Sequence, residues 1–232
     1  MELISTNTMA SPQAYEQPTI NRAWEDFIAH IPTMLLIWIA SVAVGVLGFL
    51  ASLAISVTTA WLSGNSSDAA LPSLFGIAGQ FPFLIISSLL GVLFVAVPAL
   101  YYNSGEVITI NAAFSALLRR PLRYLLAGIL FSVATTIGFL VCVIPGIVIA
   151  LTMPVYVNRI FIGNEPILEA FSGSFQAVYR SPNGMNFVGI EILAWLLVAL
   201  VSICTCGLGA LVAVPVSSFY LQNAAYHKGL IS

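Results

Sequence analysis

Six apolar stretches, at about 33–60, 82–102, 122–142, 145–162, 186–204 and 208–227, constrain this chain more than any other feature. Each approaches or exceeds the roughly 20 residues that an α-helix needs to cross a hydrocarbon core about 30 Å thick. A helix also satisfies its own backbone where no water can do so. The first stretch is longer than a crossing requires and is expected to tilt or project. Composition agrees: of 232 residues, 59 % are hydrophobic and 7 % charged, against about 25 % charged in soluble domains.

An even number of crossings returns both termini to one side, and the basic residues sort accordingly. Arg22, Arg119, Arg120, Arg123, Arg159, Arg180 and Lys228 all lie in or beside connections on the side of the termini. The opposite connections are 61–81, the Cys142–Gly146 turn and the Cys204–Gly209 turn; they hold no Lys or Arg, and Asp68 is their one charge. The positive-inside rule then puts both termini in the cytoplasm. A formal charge of −2 without a basic stripe gives no basis for a nucleic-acid partner. The segment before Ile20 contains Glu2, Glu16, Pro12 and Pro18 and has no basic start followed by an apolar run. It is expected to be a disordered cytoplasmic tail over 1–20, ahead of a single transmembrane domain over 21–232.

The stretches repeat. Ala113-Phe114-Ser115 recurs as Ala170-Phe171-Ser172, and Gly146 with Pro154 recurs as Gly207 with Pro215. Pro98 takes the matching place in the second stretch, and Ala23-Trp24 begins a similar unit. The expected fold is therefore all-α and integral to the membrane: six transmembrane helices as three repeated hairpins, each preceded by an amphipathic interfacial helix. Three stripes at helical spacing mark those interfacial helices. They are Trp24, Phe27, Ile28 and Ile31, with Arg22, Glu25, Asp26 and His30 around the other face; Ile110, Ala113, Phe114, Leu117 and Leu118; and Ile167, Phe171, Phe175 and Val178. Asn164-Glu165-Pro166 reads as the start signal of the third.

Each candidate site has two readings. Glu191 is the only acidic residue inside a predicted span, and an unpaired charge there costs several kcal/mol. It is either a proton or cation site, with Arg159, Asn158 or Tyr156 as partner, or a structural group reaching the interface. Arg119, Arg120, Arg123 and Arg180 meet anionic lipid or serve only as topological anchors. Pro98, Pro154 and Pro215 kink their helices, either opening a cavity or shaping the hairpins for packing. Cys142, Cys204 and Cys206 all fall at outer turns, as a disulfide pair or as small apolar thiols. Metal sites, cofactors and catalysis are not expected: there is no Walker loop, no HExxH helix and no Gly-x-Ser-x-Gly elbow, the patterns that carry such chemistry.

From Ala113 to Tyr226 the chain resembles small bacterial six-helix membrane proteins related to the membrane domain of glycerophosphodiester phosphodiesterases. The residues carrying the resemblance are Ala113-Phe114-Ser115, Cys142-Val143-Ile144-Pro145-Gly146-Ile147, Ala170-Phe171-Ser172, Gly207, Pro215 and Tyr226. It implies a stand-alone membrane domain and, without the soluble catalytic portion, no phosphodiesterase activity. The expected role is an accessory, scaffolding or assembly factor, in contact with membrane lipids and with other membrane proteins or itself. A small transporter or lipid-handling protein is the alternative. Gly45, Gly48, Ser87, Ser88, Gly91 and Gly138 would let partner helices approach closely.

Overall fold

The computed structural model describes residues 10–62, 70–163 and 165–231; the connection around Asp68 and the residue Asn164 lie outside them. Among the described residues, a 3-10 turn at Pro12–Tyr15 precedes α1 (Ile20–Leu62), α2 (Ala70–Ser104), α3 (Ile110–Arg119), α4 (Pro121–Val141) and α5 (Val143–Ala150). The chain continues through α6 (Met153–Phe161), α7 (Ile167–Arg180), α8 (Gly184–Cys204) and α9 (Ala210–His227). No strand occurs among these residues. Among the described residues, four helices are long and apolar enough to cross a membrane: α1, α2 from Phe75 onward, α4 and α8. A fifth crossing exists if α5 and α6, bent by 41° at a short break, are one span. The last helix, α9, is not among them, because its second half carries Gln222, Asn223 and His227.

Burial is concentrated at one end of the bundle. It covers Ala23 to Ile37 of α1, Leu90 to Tyr102 of α2, nearly all of α6, Gly184 to Ala194 of α8 and Pro215 to Tyr226 of α9. Toward the other end the helices pack mainly in sequential pairs, α1 with α2, α4 with α5 and α8 with α9. There Leu50, Leu140, Val141, Leu200 and Ile203 are exposed. Three helical hairpins thus converge on a shared core and separate away from it.

The first expected interfacial helix does not exist as a separate element. α1 runs unbroken through Pro32 for 43 residues, about 64 Å at 1.5 Å per residue. Neighbouring helices tolerate a proline here, and the Thr33 hydroxyl beside it donates to the Ile108 carbonyl at 2.9 Å. The polar side of this segment turns into the protein: Asp26 and His30 are buried together with Phe27, whereas Trp24, Ile28 and Ile31 are exposed. Periodicity identifies two faces but not which is inside, and beside lipid the polar face turns to the protein, where its partners are.

The other two short helices follow expectation more closely. α3 buries Ala113 and Leu117 and is capped by Thr109, whose hydroxyl accepts from the Ala112 N–H. α7 buries Ala170, Ser174 and Val178. It begins at Ile167 with Pro166 itself in the cap position, one residue later than a first-turn proline would require. The tail expectation fails for part of its length. Ala14 is fully buried, the Asn223 amide donates to its carbonyl at 2.8 Å, and the Ser11 N–H donates to the Tyr102 carbonyl. Polar groups at the end of α9 thus hold residues 10–16 in place.

Two tight turns shape the far ends of the hairpins. Between α4 and α5 the single extended residue Cys142 reverses the chain. A Cβ on Gly138 would lie 2.9 Å from backbone atoms of Gly146, so the two helices touch backbone to backbone. At the end of α8, Cys206 and Gly207 both adopt positive φ, 52° and 91°. Their N–H groups return to the Ile203 and Ser202 carbonyls, a Schellman closure of the helix. A Cβ on Gly207 would meet nothing, so the cost of Gly207→Ala is conformational alone. It is expected to lower stability by about 1–2 kcal/mol, measurable as a lower melting midpoint in micelles. Cys142, Cys204 and Cys206 are free and exposed at these turns, not buried as small apolar thiols would be, because the hairpin ends stand apart.

Candidate functional site

Where the hairpins converge, polar side chains are joined across helices that are far apart in sequence. Asp26 of α1 accepts from the Tyr101 hydroxyl at 2.8 Å and from the Tyr102 hydroxyl at 2.6 Å. His30, fully buried, lies 2.7 Å from the Asp26 carbonyl through Nδ1. Its Nε2 accepts the Ile108 N–H at 3.0 Å. The second bond fixes the tautomer, since an acceptor Nε2 leaves the proton on Nδ1. Phe219 and Tyr101 pack against the imidazole at ring-centroid distances of 5.0 and 4.8 Å. Both nitrogens are committed to backbone, so His30 acts as a joint between α1 and the segment leading into α3.

A second network joins α6 to α9. The Asn158 amide donates to the Tyr226 hydroxyl at 2.8 Å and to the Gln222 Oε1 at 3.4 Å, while the Gln222 amide donates to the Pro154 carbonyl at 2.8 Å. Tyr156 turns the other way and donates to the Ala127 carbonyl of α4 at 2.9 Å. Arg159 faces α7, where Gly173 leaves room for its guanidinium, and pairs with Glu165 at 3.1 Å. The three groups expected beside Glu191 are therefore engaged elsewhere, because successive residues of one helix point to different neighbours.

Glu191 itself is 1 % exposed, and its Oε2 is buried without a hydrogen-bond partner. It lies seven residues into α8, about 10 Å from that helix's start, enclosed by the neighbouring helices. It lines a 440 Å³ cleft to which all three hairpins contribute: Val95 of α2, Met153 and Pro154 of α6, Trp195 and Val198 of α8, and Val214, Ser217, Ser218 and Gln222 of α9. Two further clefts separate the hairpins, one of 610 Å³ between α1, α2 and α9 and one of 290 Å³ between α2, α4 and α6. Outside the spans, burial pushes the Tyr179 hydroxyl up to about 12, with the Glu191 charge adding to the effect. That hydroxyl donates to the Val148 carbonyl at 2.8 Å.

The prolines divide by role. Pro154 begins α6 immediately after the break that bends the fourth predicted span, and its carbonyl is held by Gln222. Pro98 and Pro215 lie inside continuous helices. Among the arginines expected at lipid, Arg119, Arg120 and Arg180 are exposed at the ends of α3, α4 and α7. Arg123 instead turns inward and donates to the Gly163 and Glu165 carbonyls at 3.2 and 2.7 Å. Asp26, His30, Gln222 and Asn223 escaped the sequence reading as buried groups; the signal for the last three is the polar cluster that ends α9 and the lone histidine in an apolar run. No group of three or more metal-ligating side chains forms among the described residues. Comparison of the chain with protein-family models, with curated proteins and with solved structures returned no match.

Proposed function

We propose that this chain is a non-enzymatic integral membrane protein acting as an accessory, scaffolding or assembly factor for a membrane complex. In this reading it crosses a bacterial-type inner or internal membrane six times, as three repeated hairpins, with its basic residues and both termini in the cytoplasm. The observation that carries the reading is the outward apolar surface. Only 17–33 % of the residues in the apolar windows of the four long helices are buried inside the protein. Lipid solvates such a surface without driving association, so helices pair in a membrane by close packing at complementary shapes. The clefts between the hairpins provide such shapes, and Gly91 in the largest of them has open space at its Cα. Gly48 and Gly138, by contrast, are already occupied by contacts within the chain, to Phe83 and to Gly146. The motif resemblance to stand-alone bacterial membrane domains supports the same role.

A photoreactive side chain in place of Trp38, which lines the 610 Å³ cleft, tests the proposal in intact membranes. The expected product is a discrete adduct with a second membrane protein or a second copy. Adducts with lipid alone, together with a strictly monomeric particle in mild detergent, would overturn it. The alternative role, a small transporter or lipid-handling protein, is favoured by one observation: Glu191, whose Oε2 is buried without a partner, lines the cleft to which α2, α6, α8 and α9 contribute.

A further inference from the structure

We propose that the Glu191 cleft binds the head of a primary alkylammonium amphiphile. Ser217 and Ser218 both spend their hydroxyl protons on the Val214 carbonyl, at 2.8 and 3.0 Å, which leaves their oxygens as acceptors. The Gln222 amide is engaged at both ends, donating to Pro154 and accepting from Asn158. Glu191 Oε2 has no partner. Of the groups left unused in this lining, the two serine oxygens and the Glu191 carboxyl can accept, while the Trp195 indole N–H and the second Gln222 amide hydrogen can donate. Glu191 is the one group able to carry charge, and no Lys or Arg lines the cleft.

Such a set matches a ligand head that donates several hydrogen bonds and carries positive charge. An ammonium has three donors and no acceptor, and its bond to a carboxylate is of the stronger, charge-assisted kind. An anionic head would face Glu191 with no compensating cation. A hydroxyl head would supply one donor and no positive charge to hold Glu191 ionised. The remainder of the cleft selects the tail. From Glu191 to Ala199 the α8 wall extends about 12 Å and is apolar, faced by Val214 and Leu221 of α9. Trp195 adds an aromatic ring to the lining, a surface attractive to a cation. At 440 Å³ the space is within the usual 300–1,000 Å³ range of ligand sites. This inference names a ligand for the lipid-handling alternative and does not depend on the accessory role, so crosslinking to a partner and amine binding succeed or fail separately.

The test is calorimetric titration, with native mass spectrometry for stoichiometry, of the full chain in a nonionic maltoside. The probes are dodecylamine, dodecyltrimethylammonium, dodecanol and laurate at pH 7. Dodecylamine is expected to bind one to one, at least about tenfold more tightly than the other three, and Glu191→Gln should weaken it by at least about tenfold. Ala199→Phe, at an exposed position of the same cleft, should block the tail while keeping the carboxylate, so a result remains if the first variant does not fold. Equal affinity for dodecanol and dodecylamine, preference for laurate, no binding by the unmodified chain, or undiminished binding in either folded variant would each overturn the proposal.

Discussion

Asp26→Ala is expected to destabilise the protein by about 2–4 kcal/mol, because it strands two tyrosine hydroxyls in the core at about 1–3 kcal/mol for each buried group left unpaired. Tyr102 is 1 % exposed and Tyr101 is half-buried, and each donates to a different oxygen of the same carboxylate. Tyr101 also lies 3.3 Å from the Gln13 side chain, which offers it a second acceptor and places the larger share of the loss on Tyr102. Asp26→Asn keeps one acceptor oxygen and should fall between wild type and alanine. A double-mutant cycle separates the bond from mere loss of packing. Tyr102→Phe should be costly when Asp26 is present and nearly neutral when it is absent. Unfolding in mixed micelles measures all four corners. Additive losses, or an Asp26→Ala variant within about 0.5 kcal/mol of wild type, the usual span of a surface substitution, would show that the carboxylate does not organise this end of the bundle.

The second large effect is steric. Gly138→Val places a β-branched side chain where even a Cβ would be 2.9 Å from the backbone of Gly146. Backbone cannot rotate away as a side chain can, so α5 must move as a unit or the α4–α5 turn must open. The expected loss is about 3 kcal/mol, the upper part of the range for overpacking. Gly189→Ala on α8 is the control, since a Cβ there meets nothing within 4 Å. It should leave stability unchanged or raise it by up to about 1 kcal/mol, the helix-propensity difference between the two residues. If both variants melt together, the close approach of α4 and α5 is not part of the folded state. A selective loss at Gly138 would also explain why a sequence scan for small residues overcounts partner surfaces: one small residue serves an internal contact and another remains open.

At Glu191, Arg159, Asn158 and Tyr156 local pattern and tertiary placement diverge. Their residue types and approximate depth were legible, and a shared site was a natural expectation from three neighbours on one helix. Side chains at successive helical positions diverge by about 100°, however, so these three reach α9, α4 and α7 separately. Glu191 was left unpartnered in a cleft that no spacing rule could indicate, because its walls come from four helices. Pro154 was legible as a disruption and does interrupt its span, whereas Pro98 and Pro215, identical in local pattern, do not interrupt theirs.

Periodicity and apolar run length, both local properties, sufficed to determine that this chain is helical, roughly where α4 and α8 begin and end, and that Ala113 to Leu118 forms a two-faced helix. Which face of α1 turns inward was decided only by tertiary structure. Helical period is the same whether water or hydrocarbon lies outside, and Asp26 and His30 are buried because Tyr101, Tyr102 and Ile108 are there to receive them. Convergence of the hairpins at one end, and the clefts that open between them, likewise depend on contacts between residues far apart in the chain, such as Asn223 with Ala14, 209 positions away. Such pairings leave no trace in local pattern, since each partner is chosen by what reaches it in three dimensions.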